Sequence, residues 1–201
     1  LNYGIHKKAF ELLYQPMSGY LQKIKAIDAS VSFEILTDQE DVFAQIDSAF
    51  PQYVSEKKLL RHKDDVISLL TLYSIRKHLE ECTQKKVWLK SGANLIIEQL
   101  ETLTFIDINS SKNVSKKEDT LFYINMEAAE EIARQIRLRN LSGMILIDFI
   151  NMKSKEQEEE LIAFLKKQIS KDLVPTKFVD ITKLGLVELT RKKGYKSLKE
   201  I

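Results

Sequence analysis

Two apolar runs in the second half of the chain predict buried strands, and each carries an acidic residue. The first spans Leu103 to Ile108, and the second, Gly143 to Met152, reads Met-Ile-Leu-Ile before Asp148. Short apolar runs bounded by turn residues are typical of strands buried in a sheet. Asp107 lies inside the first run and Asp148 inside the second. Because burial penalises a charged carboxylate, these two positions require an explanation.

The segment between the two runs predicts an amphipathic helix. Its apolar positions recur at helical spacing along one face: Leu121, Ile124, Ala128, Ile132 and Ile136. A strand–helix–strand crossover within one sheet is usually right-handed and makes its two strands parallel. We therefore expect Asp107 and Asp148 at the same, carboxyl-terminal edge of the sheet, which is where open α/β sheets place their sites.

Asn109 lies two positions beyond Asp107, so strand geometry would project both side chains from one face. Two carboxylates and an amide could then converge. Two bare carboxylates repel each other, and an oxygen-seeking cation such as Mg²⁺ removes that repulsion. A general acid–base carboxylate pair is a second possibility. The ordinary structural role of such aspartates, capping a turn or a helix, is a third.

The rest of the pattern predicts two α/β domains, over residues 1–86 and 87–201. In the first, helices are expected at 6–15 and 18–27 and a strand at 30–36. A further helix is expected from Thr37, whose spacing from Glu40 matches a capping box. In the second, two or three strands with a turn at Ser91-Gly92 precede the crossover. An amphipathic helix at 154–170 and strands at 176–181 and 185–193 follow it.

Composition narrows the class of protein only coarsely. A chain of 201 residues, 44% hydrophobic and 30% charged, suits a soluble globular protein. The net charge of +2 means that any nucleic-acid affinity must come from local patches. The lone cysteine, Cys82, excludes a disulfide framework and a multi-cysteine zinc site, and it fits a reducing, cytoplasmic compartment. The longest apolar run is too short to span a bilayer. The start at Leu1 rather than Met suggests a piece of a longer protein.

Several basic residues accompany the predicted crossover. Arg134, Arg137 and Arg139 lie on or just beyond its helix, and Lys112 lies in the loop after Asp107. They are either solvated surface groups or contacts for nucleic-acid phosphates. The three histidines have no metal-ligand spacing, and there is no Ser/His/Asp set and no P-loop.

Three stretches carry a resemblance to a known family: KVWLKSGANLIIEQLETLTFIDINS, NMEAAEEIARQIRLRNLSGMILIDFINM and LGLVELTRKK. They resemble the catalytic core of the ribonuclease E/G family of bacterial endoribonucleases, densely from Val87 to Lys193 and more loosely before it. The resemblance implies an α/β fold in which an RNase H-like segment is followed by a DNase I-like catalytic domain.

The resemblance also implies a function. It suggests an enzyme that cuts single-stranded RNA and leaves 5′-phosphate and 3′-hydroxyl ends. Asp107 and Asp148 would bind Mg²⁺, with Mn²⁺ as a substitute, and Asn109 would support the first aspartate. We add Arg134, Arg137 and Lys112 as candidate RNA contacts.

The chain departs from the family pattern in several ways. The S1 module, the 5′-end sensor and the Cys-Pro-x-Cys zinc link that family members usually carry are not seen, so no zinc is expected in this chain. Asn151 replaces the usual acidic residue after the second strand. A homo-oligomer is expected for the full-length protein. The alternatives are a non-catalytic RNA-binding or scaffold piece and, less favoured, an enzyme acting on DNA.

Overall fold

The chain folds into two compact units, Leu1–Ile75 and Arg76–Ile201. The computed structural model describes residues 17–27, 31–63, 66–110, 118–194 and 196–200. The division falls before the boundary expected at 86/87, since a helix that precedes the large sheet groups with the second unit. The helix expected at 6–15 lies outside the described residues. Within the described ranges, no helix has the length and apolar character needed to cross a membrane.

The first unit is built around two short parallel strands. β1 (Ile35–Thr37) pairs with β2 (Leu59–Arg61). Its helices are α1 (Gly19–Lys25), α2 (Glu40–Ala49), α3 (Gln52–Ser55) and α4 (Leu69–Leu72). Buried aliphatic side chains from α1, α2 and β2 form its small core: Leu21, Ile46 and Leu59. Phe50 and Tyr53 stack against each other beside that core, with ring centroids 5.1 Å apart.

The capping box predicted at Thr37 and Glu40 is wrong. Thr37 is the last residue of β1, and α2 begins at Glu40 after Gln39, which forms no side-chain cap. The Thr37 hydroxyl instead accepts a hydrogen bond from the Gln39 backbone N–H at 3.1 Å. Pairing with Arg61 of β2 keeps Thr37 extended, so a tertiary contact overrides the local helix-start signal. The strand expected at 30–36 is shorter for the same reason, because only 35–37 are paired with β2.

The second unit is built on a six-stranded mixed sheet. Its strands are β3 (Lys86–Trp88), β4 (Asn94–Gln99), β5 (Leu103–Asn109), β6 (Gly143–Asp148), β7 (Thr176–Ile181) and β8 (Val187–Arg191). Its helices are α5 (Ile75–Thr83), α6 (Glu118–Leu138) and α7 (Lys155–Ile169), and a short 3-10 turn forms at Leu198–Glu200. The strands lie in the order β3-β4-β5-β6-β8-β7.

The crossover predicted from the two apolar runs is confirmed. β5 pairs in parallel with β6, and α6 connects them. The other pairings of this sheet in the described part of the chain are antiparallel. The expected turn between β3 and β4 is also present. Gly92 there has φ +84°, a left-handed backbone conformation that glycine adopts without steric cost.

One face of the sheet is packed against α6 and α7, and this face forms the core. Along β5 the side chains of Thr104, Ile106 and Ile108 are buried, and their neighbours on β6 are Ile145 and Ile147. Four of the five residues of the predicted α6 stripe are buried and the fifth is half-buried: Ile124, Ala128, Ile132, Ile136 and Leu121. Because strand side chains alternate between faces, the odd positions of β5 and the even positions of β6 project from the opposite, open face.

A buried ion pair fixes the far end of the sheet. Arg191 Nε donates to Asp172 Oδ2 at 2.7 Å, and the two side chains are 3% and 6% exposed. Arg191 Nη1 also donates to the Asn140 side chain and to the Leu141 carbonyl. Burial alone would raise the pKa of Asp172. Hydrogen bonds from Arg191, from the Val174 backbone and from Thr176, with the arginine charge, lower it below its usual value. The pair therefore ties β8 to the connections that precede β6 and β7.

Candidate active site

Asp107 and Asp148 lie side by side at the carboxyl ends of β5 and β6. They are paired directly in the parallel register, and both side chains project from the open face. Neighbouring strands lie about 4.8 Å apart, so the two carboxylates belong to one small site. β5 ends at Asn109, two residues beyond Asp107, and β6 ends at Asp148 itself. The predicted convergence of the two aspartates at one edge is confirmed.

Asn109 adds an amide to this site, as its spacing predicted. Its Nδ2 donates to Asp107 Oδ2 at 2.6 Å, while Asn94 of β4 donates from its own Nδ2 to the Asn109 carbonyl at 3.5 Å. The short bond fixes one oxygen of Asp107. The other oxygen, with the carboxylate of Asp148, remains available for a further partner.

The electrostatics of the pair follow from its geometry. Burial raises the pKa of Asp148 above its usual value, and the neighbouring negative charge of Asp107 raises it further. Ionising Asp148 is therefore less favourable than usual when no cation is near. A cation placed between them would reverse this penalty, since each carboxylate would then lie close to a positive charge.

A buried asparagine on α6 holds the chain that follows Asp148. Asn125 is 0% exposed. Its Nδ2 donates to the Ile150 carbonyl at 2.7 Å, and its Oδ1 accepts from the Ile150 N–H at 3.0 Å. Both backbone groups of Ile150 are thus satisfied by one side chain, two residues beyond the acidic pair. This role of Asn125 was not predicted from the sequence, where its only signal was an amide adjacent to the apolar stripe of the helix.

Glu127 fixes the turn between β3 and β4 in a similar way. Its two carboxylate oxygens accept from the backbone N–H groups of Lys90 and Ser91, at 2.6 and 3.2 Å. The turn leads into Asn94, which donates to the Asn109 carbonyl. α6 therefore holds two segments next to the site: the β3–β4 turn through Glu127, and the chain after Asp148 through Asn125. Glu127 was also missed, because a glutamate on a polar helix position gives no sign of a partner on another element.

Of the three basic residues proposed as RNA contacts, the two that the structure describes lie away from the acidic pair. Arg134 is exposed on α6 and donates to Glu131 at 2.9 Å, and Arg137 donates to the Gln168 carbonyl of α7 at 3.4 Å. Both lie in the last turns of α6, which covers the face of the sheet opposite to the aspartates. Lys112 lies outside the described residues. RNA contact at these three positions stays a prediction.

Arg139 is a clearer correction. The sequence predicts a solvated group or a phosphate contact at this position, but the residue is only 7% exposed. Its Nε donates to Gln135 Oε1 at 2.7 Å, and burial lowers its pKa below the usual value. The arginine is therefore buried where α6 gives way to β6 and does not face solvent.

The donor chemistry of the site fits a hard divalent cation. Among the described residues no cluster of three or more histidine, cysteine, aspartate or glutamate side chains is suited to holding a metal. The two adjacent aspartates offer carboxylate oxygens only, which is the donor type that Mg²⁺ prefers. Mg²⁺ commonly keeps several water ligands and takes only one or two carboxylates from the protein. A pair of aspartates on an open face meets that requirement.

Fold and site together define a class: an α/β protein with an acidic, oxygen-donor site at the carboxyl ends of two parallel strands. Comparison with known proteins makes the assignment specific. The model of the Ribonuclease E/G family matches residues 2–194. The chain therefore belongs to the ribonuclease E/G family.

Individual relatives agree with this assignment. The chain is 34% identical over 201 residues to Ribonuclease G of Salmonella typhimurium, an alignment that covers 99% of this chain and 39% of that protein. It is 37% identical over 183 residues to Ribonuclease G of Haemophilus influenzae, covering 90% of this chain and 35% of the relative. Ribonuclease E of Synechocystis is 38% identical over 137 residues, or 67% of this chain and 20% of the relative. The chain thus spans well under half the length of these relatives.

Proposed function

We propose that this chain is the catalytic part of an Mg²⁺-dependent endoribonuclease that hydrolyses single-stranded RNA to 5′-phosphate and 3′-hydroxyl ends. The observation that carries the proposal is the direct pairing of Asp107 with Asp148 at the carboxyl ends of two parallel strands. Membership of a family whose named relatives are ribonucleases makes RNA the favoured substrate.

Asp107 and Asp148 hold the cation in this proposal. When bound, Mg²⁺ supplies an activated water ligand and a positive charge that offsets the charge developing on the phosphate. The two aspartates fix this charge at the sheet edge, and their own repulsion favours cation uptake because the cation removes it. No further carboxylate is needed, since Mg²⁺ retains water ligands.

Asn109 and Asn125 position the aspartates. The amide of Asn109 holds Asp107 Oδ2, so the carboxylate keeps one orientation and offers its other oxygen. Asn125 binds both backbone groups of Ile150 and so fixes the exit of the chain from β6. Residues that orient metal ligands in this way are often worth 10–100-fold in metal affinity or activity, an order-of-magnitude estimate.

We also propose that the first unit is RNase H-like, that the second is DNase I-like and that Mn²⁺ substitutes for Mg²⁺. The full-length protein is proposed to be a cytoplasmic homo-oligomer. These proposals rest on the family assignment, because the chain covers only 39% of the length of relatives such as the Salmonella Ribonuclease G.

The test is cleavage of a short unstructured RNA in Mg²⁺ and in EDTA. Cleavage should occur only with the metal and leave 5′-phosphate ends. The Asp107→Asn/Asp148→Asn double variant should lower the rate by about 100-fold or more, as expected when transition-state charge loses its stabilisation.

A matched control removes two negative charges elsewhere. Glu159→Gln/Glu160→Gln changes two exposed residues of α7, on the far side of the sheet, and should leave the rate unchanged. Metal-dependent cutting that survives the aspartate substitutions would refute the site. RNA binding without any cleavage, by this chain and by the full-length protein, would favour the non-catalytic RNA-binding role.

A further inference from the structure

An exposed tryptophan lies on β3, the edge strand two strands away from Asp107 of β5. Trp88 ends β3 and is the only tryptophan of the chain, with a side chain 64% exposed. Its neighbour Val87 packs against the core. Because side chains alternate along a strand, Lys86 and Trp88 project from the opposite, open face. An aromatic ring exposed to solvent offers a flat face on which a nucleobase stacks.

The strand register aligns Trp88 with the site. Trp88 is paired with Asn94, and Asn94 is paired with Asn109. Paired residues project from the same face, and each step between strands is about 4.8 Å. The backbones of Trp88 and Asn109 are therefore separated by roughly 10 Å along one row. This is a distance that a few nucleotides of a single strand can cover.

The next row of paired residues on the same face contains Lys86 and both aspartates. Lys86 is paired with Ile96, Ile96 with Asp107, and Asp107 with Asp148. The Lys86 ammonium lies 3.9 Å from the centroid of the Trp88 ring. Because the ammonium lies over the ring, a nucleobase that stacks on this face would displace it, and the freed ammonium would be placed to pair with a phosphate. Exposed Lys90, just beyond Trp88, adds a second positive charge.

We propose that Trp88 is a stacking platform for a nucleobase of the single-stranded RNA substrate, with Lys86 as its phosphate contact. The base would lie a few nucleotides from the phosphate at Asp107 and Asp148. This inference rests on the proposed function, since it takes the acidic pair as the point of cleavage. Stacking on an aromatic face accepts every base, so the platform adds affinity and register without sequence preference.

Binding can be measured separately from catalysis. The Asp107→Asn/Asp148→Asn variant in EDTA keeps Trp88 but should not cut. An unstructured RNA with a fluorescent label is titrated into it, and the anisotropy of the label reports binding. The intrinsic fluorescence of the protein reports stacking directly, because Trp88 is the sole tryptophan. The expected result is quenching of Trp88 that saturates together with the anisotropy.

Variants then test the ring itself. Trp88→Ala should weaken RNA binding roughly 5- to 150-fold, the range that loss of one stacked base gives. Trp88→Phe retains a stacking surface and should recover most of the affinity. Leu173→Ala is a matched control: Leu173 is 75% exposed and lies before β7, at the opposite end of the sheet. Its substitution should leave binding unchanged.

An RNA series locates the stacked base. Single abasic sites placed along the strand should reduce affinity most at one position a few nucleotides from the cleaved bond. The same abasic site should cost nothing further in Trp88→Ala, because the ring it would stack on is already gone.

The outcomes separate this inference from the proposed function. Binding without quenching, together with wild-type affinity in Trp88→Ala, would overturn the platform and leave the endoribonuclease proposal intact. The same result would point to a protein partner as the occupant of this face. Absence of RNA binding and of cleavage would overturn both.

Discussion

Asn125→Ala tests how the chain after Asp148 is held. The substitution removes both hydrogen bonds to Ile150, at 2.7 and 3.0 Å, from a side chain that is 0% exposed. Leaving one buried backbone group unsatisfied costs about 1–3 kcal/mol. Ile150 is partly buried, so water can replace part of the loss. We therefore expect a decrease of about 2–4 kcal/mol in the free energy of unfolding, a large share of the ~5–15 kcal/mol typical of a domain.

Urea unfolding of the second unit provides the assay, with the fluorescence of Trp88 as its probe. Glu130→Ala is the matched control, because Glu130 is exposed on the same helix; it should change stability by less than about 0.5 kcal/mol. The cleavage rate of Asn125→Ala should also fall, measured under conditions in which the variant is fully folded. A loss of stability below about 0.5 kcal/mol would refute the argument that these two bonds fix the strand exit.

Three further predictions concern single side chains. In the metal-free protein, Asp107→Asn should lower the pKa of Asp148, measured by carboxyl NMR titration. The pKa should stay above its usual value, because burial, the larger cause of the shift, remains. An unchanged pKa would show that the charge of Asp107 does not act on Asp148. Asn109→Ala should weaken Mn²⁺ binding by roughly 10–100-fold in a calorimetric titration, and wild-type affinity would exclude the supporting role. Asp172→Ala should lower the free energy of unfolding by about 3–5 kcal/mol in urea, since it strands the buried charge of Arg191. Because the folded-state pKa of Asp172 is depressed, its contribution to the free energy of unfolding is complete above the unfolded-state pKa. That contribution should disappear as pH falls through the folded-state pKa. A difference in unfolding free energy between wild type and Asp172→Ala that does not change with pH would contradict this.

The site was predictable from the sequence where strong local patterns agreed with the fold. The apolar runs and the α6 stripe predicted the parallel crossover, and its register brings Asp107 and Asp148 together. The two-residue spacing of Asn109 predicted its contact with Asp107. These inferences needed only the periods of strand and helix and the handedness of the crossover.

The features that could not be predicted from the sequence depend on contacts between residues far apart in the chain. Asn125 binds a backbone 25 residues away, and Glu127 binds a turn 37 residues before it. Arg139 resembles its exposed neighbours in sequence but is buried, because it packs where the helix ends. In the first unit, short elements are set by tertiary pairing rather than by local signals, so Thr37 was misassigned.

Metal binding to the acidic pair is the most direct test of the central claim that Asp107 and Asp148 together hold a divalent cation. Electron paramagnetic resonance of free Mn²⁺ can count the ions bound by wild type, by Asp107→Asn/Asp148→Asn and by the control Glu159→Gln/Glu160→Gln. The account predicts a single tight site in the wild type and in the control, and its loss in the aspartate variant. An equally tight site in the aspartate variant would contradict the account.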